Sequence, residues 1–271
     1  MRKIVQLFLI AVFYTASAQL PVSKNGKFVE INNAKIYYEQ YGQGEPLFLL
    51  HGFLGTADSW KDFIPEYSKR YKVIVWDMRG HGRSTDPDLD LNFSHQQAAR
   101  DLLELMDKLK IQKTKAIGHS SGGITILYAA TIAPERFDAI IPVAAQIFYS
   151  KETRDWIASK VWEKYFSQEE LDSLHGRKKS DFLKKQFYNF RQLYGDPSMT
   201  KDQLQKITAR TLIVHGDNDA VPVSQAWEMF QSIDRAHIWI SPNAGHLPQY
   251  GAANASDFIR RTSEFLKGEG W

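Results

Sequence analysis

The hydrophobic positions of this chain change their period along its length, and those changes mark out its elements. Positions 27–31 and 35–41 read as two short strands, joined by Asn32-Asn33, a dipeptide suited to a hairpin turn. Positions 47–50 and 71–76 are continuous apolar runs, the pattern of strands buried on both faces. From 94 to 109 the period becomes helical: Ala98, Leu102, Leu105, Met106 and Leu109 fall on one stripe, and Ser94 is placed to cap it. A strand at 114–117, a helix at 124–130 and a strand at 139–144 follow. Strand and helix then alternate again after position 205, as 210–215, 223–233, 236–240 and 255–266. An early hairpin followed by alternating strands and helices predicts an α/β fold: a mostly parallel, twisted sheet of about eight strands with helices on both faces.

Between these two halves the pattern breaks. Positions 150–205 open with an aromatic-rich amphipathic stretch (Trp156, Ile157, Val161, Trp162, Tyr165, Phe166). They continue in charge-dense helical segments interrupted at His175-Gly176 and Gly195-Asp196-Pro197. This reads as a helical lid inserted into one core domain formed by 19–149 and 206–271. Lys178-Lys179 and Lys184-Lys185 read as a solvated face of the lid.

Composition narrows the function classes. Hydrophobic residues make up 43% of the 271 positions, enough for a large core. The formal charge of +3 owes most of its excess to Arg2 and Lys3, so no electrostatic footprint for nucleic acid remains. Those two residues begin a segment with the anatomy of an export signal: a charged start, a short apolar run at 4–13, and Ala16-Ser17-Ala18 as a small-residue cleavage site. The expectation is removal of 1–18 and a periplasmic or secreted product, because the run is shorter than the roughly 20 residues of a spanning helix. The chain has no cysteine, which excludes a thiol nucleophile and a disulfide framework. Metal-ligand clusters, a P-loop and a dinucleotide glycine signature are absent from the sequence, so no metal and no cofactor is expected.

The chemistry concentrates at Gly118-His119-Ser120-Ser121-Gly122-Gly123, at a strand-to-helix junction. A serine between small residues at such a turn reads as a nucleophile elbow. Glycine is required where a Cβ would clash, and the strained serine is held out at the end of the sheet. Serine needs an adjacent base. Two later loops, each following an apolar strand, offer partners: His215-Gly216-Asp217-Asn218-Asp219 and Asn243-Ala244-Gly245-His246. The chain order serine, aspartate, histidine separates this arrangement from the unrelated protease folds. His246 is placed to be the general base, with either Asp217 or Asp219 as the acid behind it.

Together with Leu50-His51-Gly52-Phe53 and Asp77-Met78-Arg79-Gly80-His81-Gly82-Arg83-Ser84, these segments make the chain resemble the serine hydrolases of the α/β-hydrolase fold superfamily, esterase-like members with a helical lid above all. The resemblance spans nearly all of the chain after position 18. It implies Ser120 as nucleophile, Asp219 rather than Asp217 as the triad acid, and backbone N–H groups of Ser121 and Phe53 as the oxyanion hole. It also implies a mainly structural role for the 77–84 loop. Leu54, Trp156, Trp162 and Phe166 are the candidate substrate contacts. Haloalkane dehalogenases and epoxide hydrolases resemble this layout but carry aspartate at the elbow, so serine here implies an acyl-enzyme. The expected activity is cleavage of carboxylic esters of small acyl substrates by a monomer. The same layout is shared by lactonases, amidases, carbon–carbon bond hydrolases and receptor-like members that turn ligand over slowly.

Overall fold

The computed structural model describes residues 20–86, 93–164, 166–190, 195–250 and 252–268. The expected export signal at 1–18, Tyr165 and Tyr194 lie outside these, as does the side chain of Trp162.

The strands are β1 (Gly26–Ile31), β2 (Ala34–Tyr41), β3 (Glu45–Leu50), β4 (Tyr71–Trp76), β5 (Thr114–His119), β6 (Phe137–Val143), β7 (Arg210–Gly216) and β8 (Ala236–Ser241). They form one sheet in the order β1-β2-β4-β3-β5-β6-β7-β8, in which only the β1–β2 and β2–β4 pairings are antiparallel. The hairpin turns at Asn32 (φ 46°) and Asn33 (φ 63°), two successive left-handed residues as a type I′ turn requires.

The chain leaves β3 toward β4 on one side and returns past it to β5 on the other. Loops after β3 and β5 therefore diverge, opening the crevice where ligands bind in doubly wound sheets.

Alternate residues of the central strands feed two cores, as the two-residue period of a strand dictates. Phe48, Leu50, Ile74, Trp76 and Ala116 pack beneath α2 (His95–Lys108), α3 (Ser121–Ile132) and α8 (Val223–Ser232). Leu47, Leu49, Val73, Val75 and Ile117 face the opposite layer, with Trp60, Phe63 and Tyr67 of the α1 (Ile64–Tyr67) region and Phe258 and Phe265 of α9 (Ala252–Lys267). The α1 region, which carries no helical apolar period, was not legible in the sequence.

Between β6 and β7 run α4 (Lys151–Ala158), α5 (Gln168–His175), α6 (Arg177–Asn189) and α7 (Lys201–Leu204). The starts of α4, α5 and α7 are capped by the side chains of Ser150, Ser167 and Thr200, and α5 gives way to α6 at Gly176, whose φ of 75° suits glycine. Ile157, Leu171, Leu183 and Phe190 are buried and join the first core, so the inserted helices are packed onto the sheet domain. One expectation fails here. Lys179 is not on a solvated face: its ammonium donates to the carbonyls of Gly82 and Ser84, and burial lowers its pKa. Lys184 pairs with Glu163 at 3.3 Å.

The junction of β5 and α3 depends on two glycines. A Cβ on Gly118 would lie 2.4 Å from the Gly122 carbonyl, and one on Gly122 would lie 2.4 Å from the Leu50 carbonyl oxygen of β3. Both obstacles are backbone and cannot swing away. Gly122→Ala is therefore expected to cost about 2–3 kcal/mol of stability, read as a lowered urea midpoint. Gly195→Ala, where an added Cβ meets nothing within 4 Å, should leave the midpoint unchanged.

Candidate active site

Ser120 sits between β5 and α3 at φ 50° and ψ −118°, a conformation that a non-glycine residue adopts only under constraint. Its amide donates to the Val143 carbonyl at 2.8 Å, and its carbonyl accepts from Ile124 at 2.9 Å. Its hydroxyl makes no cap to α3, which disposes of the plainest alternative use for a serine there. The hydroxyl instead lies 3.0 Å from Nε2 of His246.

His246 stands on the loop after β8. Its Nδ1 donates to both carboxylate oxygens of Asp219, at 2.9 and 3.0 Å. Asp219 is fully buried on the loop after β7 and also accepts the Val221 amide at 3.0 Å. Asp217, its rival in the sequence, bonds locally instead: its carboxylate accepts from the Ala244 amide and the Asn218 side chain. The β7 and β8 loops approach so closely that a Cβ on Gly216 would lie 2.2 Å from the Ala244 carbonyl oxygen. That approach carries Asp219 to His246.

The β3 loop completes the arrangement. A Cβ on Gly52 would lie 2.7 Å from the His119 ring and 3.3 Å from Cβ of Ser120, so this backbone lies directly against the serine. Phe53 and Leu54 follow, Leu54 in a left-handed conformation (φ 67°), and both border a cavity of about 500 Å³ that also reaches Ser120 and His246. Trp156 of α4 and Phe166, on the link that precedes α5, line the same cavity with Phe187 of α6. Of the expected oxyanion donors, Ser121 begins α3 beside Ser120, and Phe53 lies on the facing loop.

A three-layer sheet with this switch point, a serine elbow and carboxyl-side loops meeting over it is matched by known proteins. The family model of the alpha/beta hydrolase fold matches residues 45–168. A meta-cleavage product hydrolase from Pseudomonas fluorescens IP01 superimposes with a TM-score of 0.74 at 23% identity, covering 90% of this chain and 98% of that one. The chain has the α/β-hydrolase fold. It is similar to the serine hydrolase BPHL of Mus musculus, at 29% identity over 95% of this chain and 89% of that protein. It is also similar to a 2-hydroxy-6-oxo-6-(2'-aminophenyl)hexa-2,4-dienoic acid hydrolase of Metapseudomonas resinovorans, at 25% identity over 89% of this chain and 90% of that protein.

Several residues around the site escaped the sequence reading. His175, taken there only as a helix break, links α5 to the site: its Nδ1 accepts the Gly82 amide at 2.8 Å and its Nε2 donates to the Leu54 carbonyl at 3.0 Å. His95 links another distant segment. Its Nε2 lies 2.9 Å from the Ser121 hydroxyl, and Asp196, from the Gly-Asp-Pro break, accepts its backbone amide at 2.5 Å. Ser59, Trp60, Gln249 and Tyr250 also line the cavity. Their one sequence signal is position, within a few residues of the His51-Gly52 and Gly245-His246 loops. The 77–84 loop is a frame, as the resemblance implies. Asp77 accepts the Ala57 and Arg83 amides, both at 2.7 Å, and pairs with the Arg83 guanidinium; Arg79 grips Asp101 with two bonds.

The histidines differ in electrostatics because their surroundings differ. Burial pushes His51 and His175 down to about 4, and pushes His119 down to about 3. His51 accepts the Met78 amide at Nε2 and donates from Nδ1 to the Gly52 carbonyl, and His119 donates to the His246 carbonyl at 2.7 Å. Each neutral ring thus holds backbone in place. In His246 burial also opposes the charge, but the Asp219 carboxylate outweighs it and raises the pKa above the usual histidine value of 6.5. NMR titration of the imidazoles, assigned with His→Gln variants, should show His246 protonating above pH 6.5. The rings of His51, His119 and His175 should stay neutral to about pH 5.

Proposed function

We propose that this protein is a serine hydrolase that cleaves carboxylic esters through an acyl-enzyme, in a periplasmic or secreted setting. The observation that carries the reading is the continuous hydrogen-bonded line from the Ser120 hydroxyl through His246 to Asp219, ending in the cavity.

In this reading Ser120 Oγ attacks the substrate carbonyl carbon as His246 Nε2 takes its proton. Asp219 holds the Nδ1–H tautomer and stabilises the imidazolium that forms. The amides of Ser121 and Phe53 face the oxygen on which negative charge develops; a donor of this kind is worth about 3 kcal/mol in the transition state. His246 then delivers its proton to the departing alcohol. Water, deprotonated by the same ring, attacks the acyl-enzyme and frees both the acid and Ser120. Export rests on the three-part pattern at 1–18, and the ester preference on the serine elbow with histidine before it. The dienoic acid hydrolase among the relatives supports a second reading, cleavage of a carbon–carbon bond beside a carbonyl by the same serine.

A fluorophosphonate probe should add once to the pure protein, by intact mass, and fail to add to Ser120→Ala. Labelling that persists in that variant overturns the proposal. The acid limb of kcat/KM should have its midpoint above pH 6.5, because protonated His246 cannot accept the serine proton and its pKa is raised. Asp219→Asn should lower kcat by about 10⁴-fold and move that limb to lower pH, since the carboxylate that holds the proton on His246 is gone.

A further inference from the structure

The walls of the cavity carry information that the catalytic line does not. Among the described residues that border it there is no lysine, arginine, aspartate or glutamate. Its histidines other than His246 are His51 and His119, pushed down to about 4 and about 3 and so uncharged at neutral pH. The nearest formal charge on the catalytic line is the carboxylate of Asp219, fully buried behind the His246 ring and negative. An anion entering the cavity would give up part of its hydration, find no described lysine or arginine on the wall, and meet the field of that carboxylate. An unpaired buried charge is among the costliest states in a protein interior.

The wall is not uniformly apolar. Phe53, Leu54, Trp156, Phe166 and Phe187 make an oily part, whereas Ser59, Asn218 and Gln249 are polar and neutral. Gln249 stands out. It is only 2% exposed, it lines the cavity, and its Oε1 has no hydrogen-bond partner. The backbone around it is fixed: the Tyr250 amide donates to the Leu247 carbonyl at 3.0 Å, and the Tyr250 hydroxyl donates to the Ser59 carbonyl. A buried amide oxygen without a donor is costly in a folded protein, and a donor on a bound molecule would satisfy it.

We propose that the cavity selects uncharged acyl substrates and excludes carboxylate-bearing ones, with Gln249 as the subsite that hydrogen-bonds a neutral polar group such as an amide or hydroxyl. This rests on the serine-hydrolase reading and adds the substrate class to it. It also decides between the two reactions considered above, because a dienoic acid carries a carboxylate that this cavity does not neutralise.

Three p-nitrophenyl esters of equal length test the idea: the hexanoate, the adipic half-ester ending in a carboxylate, and the adipamic ester ending in an amide. With spontaneous hydrolysis subtracted, kcat/KM for the half-ester should lie about 100-fold or more below that for the hexanoate. The amide-terminated ester should stay within about tenfold of the hexanoate. Gln249→Leu should lower the amide-terminated ester selectively, and Gln249→Lys should raise the half-ester relative to the hexanoate. A half-ester hydrolysed by the native protein within about threefold of the hexanoate overturns the charge selection. An amide-to-hexanoate ratio that Gln249→Leu leaves unchanged overturns the subsite. Should none of the esters be turned over, the same comparison is read from the rates at which hexyl and 5-carboxypentyl fluorophosphonates add to Ser120, equal rates counting against the proposal. Failure of every probe to label Ser120 would instead remove the serine-hydrolase reading beneath it.

Discussion

The close backbone contact between the β5–α3 turn and the end of β3 is the constraint on which the rest of the site depends. Gly118 and Gly122 let the turn fold back on itself, and Gly122 lets it press against the Leu50 carbonyl. Side chains at either place would push α3 away from the sheet. With the contact made, Ser120 has nowhere to go but into its left-handed conformation, hydroxyl outward. The same contact brings the His51–Leu54 backbone against the serine from the other side, where Gly52 again leaves no room for a Cβ. One packing event thus sets the serine and the loop facing it. The geometry is stored in backbone, which side-chain motion cannot relax.

Around this frame, neutral histidines act as struts. His51 ties the β3 loop to Met78, His119 ties the elbow to the His246 loop, and His175 ties the inserted α5 to both Leu54 and Gly82. An imidazole suits this task because one nitrogen accepts and the other donates, so a single ring bridges two backbone groups. That holds only while the ring is neutral, and burial keeps it so. Lys179 adds a further link from α6 to the Gly82–Ser84 backbone. The inserted helices are therefore bonded to the loops that surround the serine, and the wall that the insertion contributes through Trp156, Phe166 and Phe187 is held in register with it.

What the sequence made legible, and what it hid, follows from the range of the interactions. The strands were readable because continuous apolar runs report burial on both faces, and the elbow because its glycines answer a local steric demand. Asp219 and His246 stand 27 residues apart and meet through the Gly216–Ala244 approach, so position after a strand pointed to both, while only resemblance chose Asp219 over Asp217. His175 and His95 were illegible for a different reason. Each acts through long-range bonds, up to 121 residues away in the case of His175 and Leu54 and 101 in the case of His95 and Asp196. No period or spacing records such a bond. Lys179 misled because a lysine in a charged run ordinarily points to water; here its ammonium found two carbonyls instead.

The electrostatics of the cavity follow from the same economy of charge. Every strut histidine is neutral by burial, and the charges of the loop that frames the site are paired, Asp77 with Arg83 within the loop and Arg79 with Asp101 of α2. On the line from Ser120 it is the Asp219 carboxylate that raises the pKa of His246 against burial. Charge in the site is thereby concentrated where a proton must move, and the described walls around it are kept neutral. Burial of the Asp219 carboxylate strengthens its interaction with His246, since a charge removed from solvent is screened less. The same neutral walls make any additional charge on a substrate expensive. Under the proposed reading, the conditions that favour chemistry at Ser120 and the conditions that restrict its substrates are one physical property of the cavity, seen from the reacting bond and from the rest of the molecule.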